Sequence, residues 1–282
     1  MLKVNAVDIC AESFGDPGDP TLLLVMGSAG SMDWWETELC ERLAAGSRHV
    51  IRYDHRDTGR SVTYEPGAPT YSGADLVADI VGVLDAHAVE RGHLVAESMG
   101  GALAQVMALD HGERVASLTL IATSPAGPAP DLPPMTAEAV ARFSGIGTPD
   151  WSDRGAVVDY IVASARACAS PTAPFDEAGA RELAATVVDR STNVESSFTN
   201  HELIDGTDPW RERLGELAAP TLVIHGTDDP VFPLGHGEAL AREIPEATLL
   251  VLDGVGHEHP RRAWDRIVPA VLEHTARLRT TH

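Results

Sequence analysis

Three kinds of residue that can together cleave an ester or an amide stand at the ends of apolar runs in this chain. Ser98 ends the run HLVAES, the pair Asp228-Asp229 follows the run TLVIHG, and His257 follows the run TLLVLDG. A serine hydroxyl attacks a carbonyl carbon when a neutral histidine removes its proton, and a carboxylate orients that histidine and stabilises its charged form. The chain therefore carries, in this order, the residue types of a serine acyl-transfer triad.

Ser98 lies in the pattern Ala96-Glu97-Ser98-Met99-Gly100, between an apolar run and the helical segment MGGALAQVMAL. Small residues on both sides of a serine allow a sharp turn from strand to helix, which lifts the hydroxyl above the sheet. The turn also places the serine at a helix N-terminus, where unpaired N–H groups and the helix dipole favour negative charge. The alternative for Ser98 is a plain N-cap of an ordinary helix. The strand before it and the helix after it favour a nucleophile.

The elements that must position these residues alternate along the chain. Within residues 1–124, the apolar runs TLLLVMG, HVIRYD, HLVAES and SLTLIATS are separated by helical patterns. Buried strands that alternate with helices indicate a mostly parallel sheet with helices on both faces. The runs TLVIHG and TLLVLDG resume this pattern within residues 216–282, and open α/β sheets hold their chemistry at the carboxyl ends of the strands. We predict one α/β core in two parts, 1–124 and 216–282.

Residues 125–215 interrupt this core. They begin with PAGPAPDLPP, in which five prolines in ten residues exclude a helix interior and a central strand. The rest of the insertion has mostly helical patterns broken by Pro, Gly and Ser. We predict that residues 125–215 form a helical cap over the carboxyl ends of the strands, which would exclude water and shape the substrate pocket.

Three further patterns make the chain resemble the α/β-hydrolase-fold superfamily of esterases, lipases and peptidases. They are G-x-x-D at Gly226–Asp229, G-x-G-H at Gly254–His257 and D-x-R-x-x-G-x-S at Asp54–Ser61. The resemblance implies the α/β-hydrolase fold, with its helical cap inserted after the sixth strand, and a triad in the order Ser, Asp, His. We interpret residues 54–61 themselves mainly as a turn fixed by hydrogen bonds.

The acid and the base each have a close alternative in the sequence. The register of the family's acid turn favours Asp229 over Asp228, and His257 is favoured over His259 because it directly follows the glycine loop. The predicted triad is therefore Ser98, Asp229 and His257. The sequence HEH at this point is not the H-E-x-x-H zinc pattern, so we predict no metal site and no cofactor.

The resemblance also implies an oxyanion hole, in which two backbone N–H groups stabilise the negative charge that develops on the carbonyl oxygen. One donor belongs to the residue after the nucleophile, Met99, and the other to Ser28, in the loop after an early strand. That loop reads MGSAG over residues 26–30 and is hereafter the oxyanion loop. The alternative for it is a flexible glycine turn without a catalytic role.

Four segments, LLLVMG, HVIRYDHRDTGRS, ALDHGERVASLTLI and PTLVI, are similar to those of the aclacinomycin methylesterases of anthracycline biosynthesis. That branch cleaves a methyl ester on an aromatic polyketide. The resemblance therefore implies a carboxylic ester substrate that is bulky and apolar, cleaved through an acyl-enzyme on Ser98. The residues predicted to line the substrate pocket are Gly27, Met32, Trp34, Phe143, Tyr160, Phe198 and Val231.

Other activities fit the same three residues. A carbon–carbon bond hydrolase, an acyltransferase and a cofactor-free perhydrolase remain alternatives to an esterase. A non-catalytic small-molecule receptor is an alternative from another class. Glu97, beside the nucleophile, has two interpretations of equal weight: a carboxylate that tunes the charge of His257, or a salt-bridged or solvated acid.

Composition limits the partners and the compartment. The 282 residues carry 21 Lys and Arg against 42 Asp and Glu, a formal charge of −21 that repels nucleic acid and anionic lipid. Cys10, Cys40 and Cys168 form neither a disulfide framework nor a zinc pattern, and no signal peptide or membrane span is recognisable. We therefore expect a cytoplasmic enzyme with a small-molecule substrate and no nucleic-acid or membrane partner. The sequence leaves the oligomeric state open.

Overall fold

A seven-stranded sheet lies at the centre of the computed structural model, which describes residues 1–204 and 210–276. Residues 205–209 of the predicted cap and 277–282 of the predicted core lie outside the described residues. The strands are β1 (Leu2–Val4), β2 (Val7–Ile9), β3 (Ala11–Phe14), β4 (Thr21–Val25), β5 (His49–Tyr53), β6 (Gly92–Glu97), β7 (Val115–Ile121), β8 (Thr221–Gly226) and β9 (Thr248–Leu252). The main sheet has the order β3-β5-β4-β6-β7-β8-β9, and all neighbours are parallel except β3 and β5.

Helices cover both faces of this sheet. In chain order, the α-helices of the described residues are α1 (Thr37–Ala44), α2 (Gly73–Ala86), α3 (Met99–Asp110), α4 (Ala137–Ser144), α5 (Arg154–Cys168), α6 (Glu177–Arg190), α7 (Val194–Asn200), α8 (Gly235–Glu243) and α9 (Trp264–Ala276). Side chains of α1 and α9 pack on one face, and those of α2, α3 and α8 pack on the other. None of the helices described is both long enough and apolar enough to cross a membrane.

The alternation of β4 explains why its sequence is apolar throughout. Leu22 and Leu24 join the core on the side of α1 and α9, whereas Leu23 and Val25 join the core on the side of α2 and α3. Successive side chains of a strand point to opposite faces, so a parallel strand covered on both faces is apolar at every position. The predicted mostly parallel sheet between two helical layers is confirmed.

The helices α4 to α7 lie between β7 and β8 in the chain, within residues 125–215, to which we refer as the cap. The cap follows the seventh strand in chain order and the fifth strand of the main sheet, rather than a sixth, because β1 and β2 form a separate antiparallel ribbon. The helices α5 and α6 have a small apolar core of their own. Its buried members are Val157, Val158, Ile161, Val162, Ala184 and Val187.

Arg190, at the end of α6, fastens the cap to the core. Its guanidinium donates to Asp33 Oδ2 at 2.7 Å and to the two carboxylate oxygens of Asp54 at 2.6 and 2.7 Å. Asp54 is fully buried and also accepts from the backbone N–H groups of Met32 and Arg60. Charge-assisted bonds of this bidentate kind are strong and directional. One guanidinium therefore joins the cap to two separate core loops.

Residues 54–61 form a turn closed by its own hydrogen bonds, as the sequence predicts. The Thr58 N–H donates to the His55 carbonyl at 3.1 Å, and the Ser61 hydroxyl donates to the Asp54 carbonyl at 2.7 Å. The turn also supports the cap, because the Ser197 hydroxyl of α7 donates to a backbone carbonyl within it. We refer to residues 54–61 as the Asp54 turn.

Candidate active site

Ser98 occupies a strained turn between β6 and α3. Its φ of 51° and ψ of −121° lie in a region that costs a non-glycine residue about 1–3 kcal/mol, so neighbouring bonds must hold it there. The Ser98 N–H donates to the Ile121 carbonyl at 3.1 Å, and its own carbonyl accepts from the Thr123 hydroxyl at 2.7 Å. Gly100 permits a close approach, because a Cβ there would lie 2.4 Å from the Val25 carbonyl oxygen. The turn has the elbow shape that the spacing predicts.

His257 and Asp229 form a continuous hydrogen-bonded row with Ser98. The His257 Nε2 lies 2.9 Å from Ser98 Oγ, and the His257 Nδ1 lies 2.9 Å from Asp229 Oδ2. Because an ionised carboxylate can only accept, Nδ1 carries the proton of the neutral imidazole, and Nε2 accepts from the serine hydroxyl. This is the geometry that general-base activation of a serine requires.

Asp229, and not Asp228, faces the histidine. The second carboxylate oxygen of Asp229 accepts from two backbone N–H groups of the following turn, at 2.8 and 2.9 Å. The carboxylate of Asp228 instead accepts from two hydroxyl groups of the loop that follows α5. The structure therefore brings together the three residues of the predicted triad and leaves the neighbouring acid outside the row.

The charges around the row favour a histidine that can accept a proton. Burial would lower the pKa of His257, but the carboxylate of Asp229, and after it that of Glu97, outweighs burial and raises this pKa above its ordinary value of 6.5. Burial would raise the pKa of Asp229, but the charge and hydrogen bond of His257 hold it below its ordinary range. The pair is suited to hold an imidazolium beside a carboxylate.

The oxyanion loop runs directly beside the nucleophile. A Cβ at Gly27 would lie 3.0 Å from the Ser98 Cβ and 3.6 Å from its Oγ, so the loop backbone lies against the serine. Within residues 1–204 and 210–276, neither the Ser28 N–H nor the Met99 N–H has a protein acceptor. Met99 is the first residue of α3, where helix geometry leaves such donors unpaired. Both predicted donors are thus unpaired among the described residues.

Glu97 pairs with His259 in the interior. The two side chains are 5% and 8% exposed, and the His259 Nδ1 bonds to the Glu97 carboxylate. The His259 Nε2 donates to the Trp34 carbonyl at 3.0 Å, and its ring stacks on Trp35 with centroids 4.5 Å apart. Both interpretations of Glu97 find support, because it is salt-bridged and also raises the pKa of His257. His259 therefore tethers the histidine loop to the strand that carries the nucleophile.

The predicted pocket residues of the cap divide into two groups. Tyr160 and Phe198 join Trp151 in a cluster of three aromatic rings, with centroids 5.1–6.2 Å apart. Phe143 lies on α4, and no ring contact of the described residues joins it to this cluster. Trp34, from the core, packs against both the core and the apolar residues of the cap. Trp34 thus lies where core and cap meet, and the aromatic cluster packs on the apolar core of the cap.

Met32 and Val231, two residues of the core that are predicted to line the pocket, differ in their burial. Met32 is 1% exposed and offers almost no surface to a ligand, because its 3₁₀ turn is packed into the core. Val231 is partly buried in the acid turn and donates its N–H to Asp229. Its neighbour Phe232 presents its ring edge-to-face to His257 at a centroid distance of 5.4 Å. Phe232 therefore lies directly beside the base of the row.

Two buried histidines bind the oxyanion loop, and neither is among the site residues predicted from the sequence. The His55 Nε2 donates to the Met26 carbonyl at 2.9 Å, and the Ala29 N–H donates to the His201 Nδ1 at 3.0 Å. His55 belongs to the D-x-R-x-x-G-x-S pattern, which could have drawn attention to it. No local pattern marks His201, which lies 172 residues from Ala29 in the chain.

The arrangement can transfer an acyl group. A row of carboxylate, imidazole and hydroxyl beside two available N–H groups can move an acyl group to the serine and then to water. In the part of the chain that the structure describes, no group of three or more His, Cys, Asp and Glu could hold a metal ion.

Comparisons with known proteins agree with the fold. Residues 20–259 match the model of the alpha/beta hydrolase fold family. The rhodomycin D methylesterase DauP of Streptomyces sp. (strain C5) is 29% identical over 290 residues, covering 98% of this chain and 97% of its own. A 2-hydroxy-6-oxononadienedioate/2-hydroxy-6-oxononatrienedioate hydrolase of Paraburkholderia xenovorans is 31% identical over 268 residues, covering 91% and 88%. The structure of the esterase RhEst1 from Rhodococcus sp. has a TM-score of 0.79 at 22% identity, covering 98% of both chains.

The family match includes the Ser98 turn, the acid turn and the histidine loop, and it leaves out only the two ends of the chain. The similarity to a rhodomycin D methylesterase confirms the resemblance to the methylesterase branch that the sequence indicates. Sequence and sheet topology therefore agree that this chain belongs to the α/β-hydrolase-fold family.

Proposed function

We propose that this protein is a serine hydrolase that cleaves a carboxylic ester through an acyl-enzyme on Ser98. The observation that carries the proposal is the unbroken row from Ser98 through His257 to Asp229, with both hydrogen bonds at 2.9 Å. The N–H groups of Ser28 and Met99, which have no acceptor among the described residues, add a place for the oxyanion. Hydroxyl, base, acid and oxyanion donors are the complete set that ester hydrolysis needs.

In this proposal the reaction has two halves. Ser98 Oγ attacks the ester carbonyl carbon while His257 Nε2 takes its proton, and the carbonyl electrons move to the oxygen beside Ser28 and Met99. The intermediate collapses, the bond to the alcohol breaks, and His257 returns the proton to the leaving alkoxide. Water then loses a proton to His257 and attacks the acyl carbon. The bond from this carbon to Ser98 Oγ breaks as His257 returns the proton to Oγ, and the carboxylic acid leaves. Asp229 stays ionised and stabilises the imidazolium in both halves.

The substrate proposal rests on the relatives and on the aromatic residues. Two relatives are rhodomycin D methylesterases, which supports a methyl ester as the bond that is cleaved. The rings of Trp151, Tyr160 and Phe198 in the cap are large apolar groups, and Trp34 joins the apolar core of the cap to that of the sheet. Apolar and aromatic side chains are the usual lining of a site for a bulky apolar ligand. We therefore propose a methyl ester of a bulky, polyketide-like carboxylic acid.

The pairing of the cationic side chains in the cap favours an uncharged ester as substrate over a dianionic one. Residues 125–215 contain no lysine, and every arginine there pairs with a carboxylate of the protein: Arg142, Arg154, Arg166, Arg181, Arg190, Arg211 and Arg213. A dioate, as in the name of the Paraburkholderia relative, carries two carboxylates, which need cationic partners when they leave water. Hydrolysis of an ester therefore has more support than carbon–carbon bond cleavage of a dioate.

The test compares the purified protein with its Ser98→Ala variant on methyl esters that range from a short aliphatic acid to polycyclic aromatic acids. Methanol and free acid are quantified by mass spectrometry, without added peroxide or acceptor alcohol. We expect equal amounts of both products, faster turnover of the polycyclic esters, and a loss of about 10⁴–10⁶-fold in Ser98→Ala.

Two results would count against the proposal. Full turnover in Ser98→Ala would overturn the serine mechanism, and failure of a fluorophosphonate to label Ser98 in the unmodified protein would point the same way. Turnover of a 2-hydroxy-6-oxo dioate without turnover of any ester would overturn the substrate class while leaving the nucleophile in place.

A further inference from the structure

We propose that His201 of the cap is a positioning residue for the oxyanion loop, so that seating of the cap on the core and formation of the oxyanion hole are coupled. The inference rests on the proposed function, because it assigns His201 a part in the same reaction. It goes beyond that function by making the cap a requirement for transition-state stabilisation as well as a cover for the pocket.

The oxyanion loop has a backbone conformation that needs support. Ala29 has a φ of 60°, in the left-handed region that an alanine rarely adopts, and the Gly30 N–H turns back to the Gly27 carbonyl at 3.2 Å. Ser28, the proposed donor, lies between Gly27 and Ala29. A change of backbone at Ala29 would therefore redirect the Ser28 N–H, which must point at the oxyanion to stabilise it.

Two histidines hold this loop from opposite ends. His55 donates from Nε2 to the Met26 carbonyl at 2.9 Å, and the Ala29 N–H donates to the His201 Nδ1 at 3.0 Å. An amide N–H can only donate, so the Nδ1 of His201 is the bare nitrogen of a neutral ring. The remaining proton is on Nε2, which lies 2.8 Å from the Arg56 carbonyl and donates to it. The two bonds of His201 thus specify both its tautomer and its charge.

The surroundings of His201 keep its imidazole neutral, with the proton on Nε2. The residue is 5% exposed, its ring lies 6.1 Å from that of His55 and 6.5 Å from that of Tyr71, and it bonds to the backbone on both sides. Burial lowers the pKa of His201, even though the nearby Asp57 carboxylate acts against this. A neutral, buried imidazole is a rigid acceptor for one N–H group, which suits it to hold a strained loop.

The position of His201 depends on the position of the cap, because His201 directly follows α7. That helix is bound to the core by Asn200, whose amide donates to Asp57 Oδ2 at 2.9 Å and accepts from the Gly67 N–H at 2.7 Å. Displacement of α7 would therefore withdraw the acceptor from Ala29 at the same time. If the cap is displaced from the core, the oxyanion loop therefore loses its hydrogen bond to His201 and keeps only the one to His55.

Two substitutions separate the two bonds of His201. His201→Asn places an amide oxygen near the former Nδ1 and keeps an acceptor for the Ala29 N–H. His201→Gln places its terminal amide near the former Nε2 and keeps a donor for the Arg56 carbonyl, while the Ala29 N–H loses its acceptor. Because each variant retains one bond and loses the other, the two are matched in the number of hydrogen bonds removed.

The measurement is kcat and KM for an ester, the rate of fluorophosphonate labelling of Ser98, and amide hydrogen exchange of residues 26–30. We expect His201→Gln to lose about 10- to 100-fold in kcat and in labelling rate, with KM changed much less, and to exchange faster in the oxyanion loop. His201→Asn should stay within about 3-fold of the unmodified protein in all three measurements.

Equal losses in both variants, or losses that follow only their melting temperatures, would overturn the positioning role. Should a variant fail to fold, Asn200→Ser tests the coupling with His201 intact: we expect faster exchange at residues 26–30 and lower kcat, and unchanged values would overturn the coupling. If the unmodified protein neither hydrolyses an ester nor is labelled at Ser98, the proposed function fails and this inference fails with it. If the unmodified protein hydrolyses an ester and is labelled at Ser98, but His201→Asn and His201→Gln do not differ, the positioning role of His201 fails and the proposed function stands.

Discussion

Asp229 and Asp228 carry the same charge one residue apart, and only Asp229 bonds to the imidazole of His257. The ordinary pKa of a histidine is about 6.5, and burial acts to lower it for His257. The carboxylate of Asp229 makes the largest contribution in the opposite direction, and the resulting pKa is raised. Because the neutral imidazole is the base, kcat/KM should fall as the pH drops through this raised pKa.

We expect Asp229→Asn to lower kcat by about 10⁴-fold, since the imidazole loses the carboxylate that orients it and stabilises its charge. Loss of this carboxylate also lowers the pKa of His257, so the acid limb of the remaining kcat/KM should move to lower pH. Asp228→Asn is the matched control, with the same change of charge away from the row. The pH profiles of both variants check this, and an equal shift in both would contradict the role of Asp229.

At the scale of elements, α6 is held to the core by one guanidinium between two aspartates. Arg190 is 12% exposed, and its partners Asp33 and Asp54 are 9% and 0% exposed. Removal of one partner from a buried group of charges leaves the others without compensation, which costs much more than the loss of an exposed pair. The same helix carries such an exposed pair, between Arg181 and Asp159.

We predict that Arg190→Met lowers the free energy of unfolding by about 3–5 kcal/mol, because two buried carboxylates lose their cation. Arg181→Met removes the exposed pair from the same helix and should cost less than about 1 kcal/mol. Urea titrations of both variants measure the difference. Adding Asp33→Asn to Arg190→Met should recover part of the loss, and similar losses in the two single variants would disprove a buried anchor.

At the scale of the whole molecule, the core contains several histidines that burial keeps neutral. Burial lowers the pKa of His55 to about 3, and burial together with the positive charge of Arg48 lowers that of His93 to about 4. A lowered pKa means that the unfolded chain binds the proton first. Such a histidine therefore stabilises the fold above its unfolded pKa of about 6.5, and this contribution is lost as the pH falls toward the folded value.

We expect the stability of the protein to fall steeply below about pH 6.5, with His93 accounting for about 2 kcal/mol of the loss between about pH 8 and pH 5. His93→Asn, which keeps a polar atom near the Ser117 hydroxyl, should be less stable at the higher pH but lose less on acidification. Urea midpoints over this range test the prediction. Parallel curves for the two proteins would show that His93 does not contribute to acid sensitivity.

The sequence by itself determined the six parallel strands β4 to β9, the elbow at Ser98 and the candidates for the triad, and it left β1, β2 and β3 unpredicted. These features depend on residues within a few positions of one another: an apolar run, the small residues around a sharp turn, a glycine before a histidine. The same holds for the strand TLVIHG, which was predicted at the residues where β8 begins and ends. Local sterics and burial on both faces of a sheet leave few alternatives for such segments.

Only the tertiary structure decided which distant side chains meet. Glu97 and His259 are 162 residues apart, and His201 and Ala29 are 172 residues apart, so neither pair has a signature in the neighbouring sequence. The anchoring of α6 by Asp33 and Asp54 and the burial of Met32 likewise depend on how the cap packs against the core. Hydrogen bonds of this kind form only after packing has removed water from both partners, and that packing is a property of the whole fold.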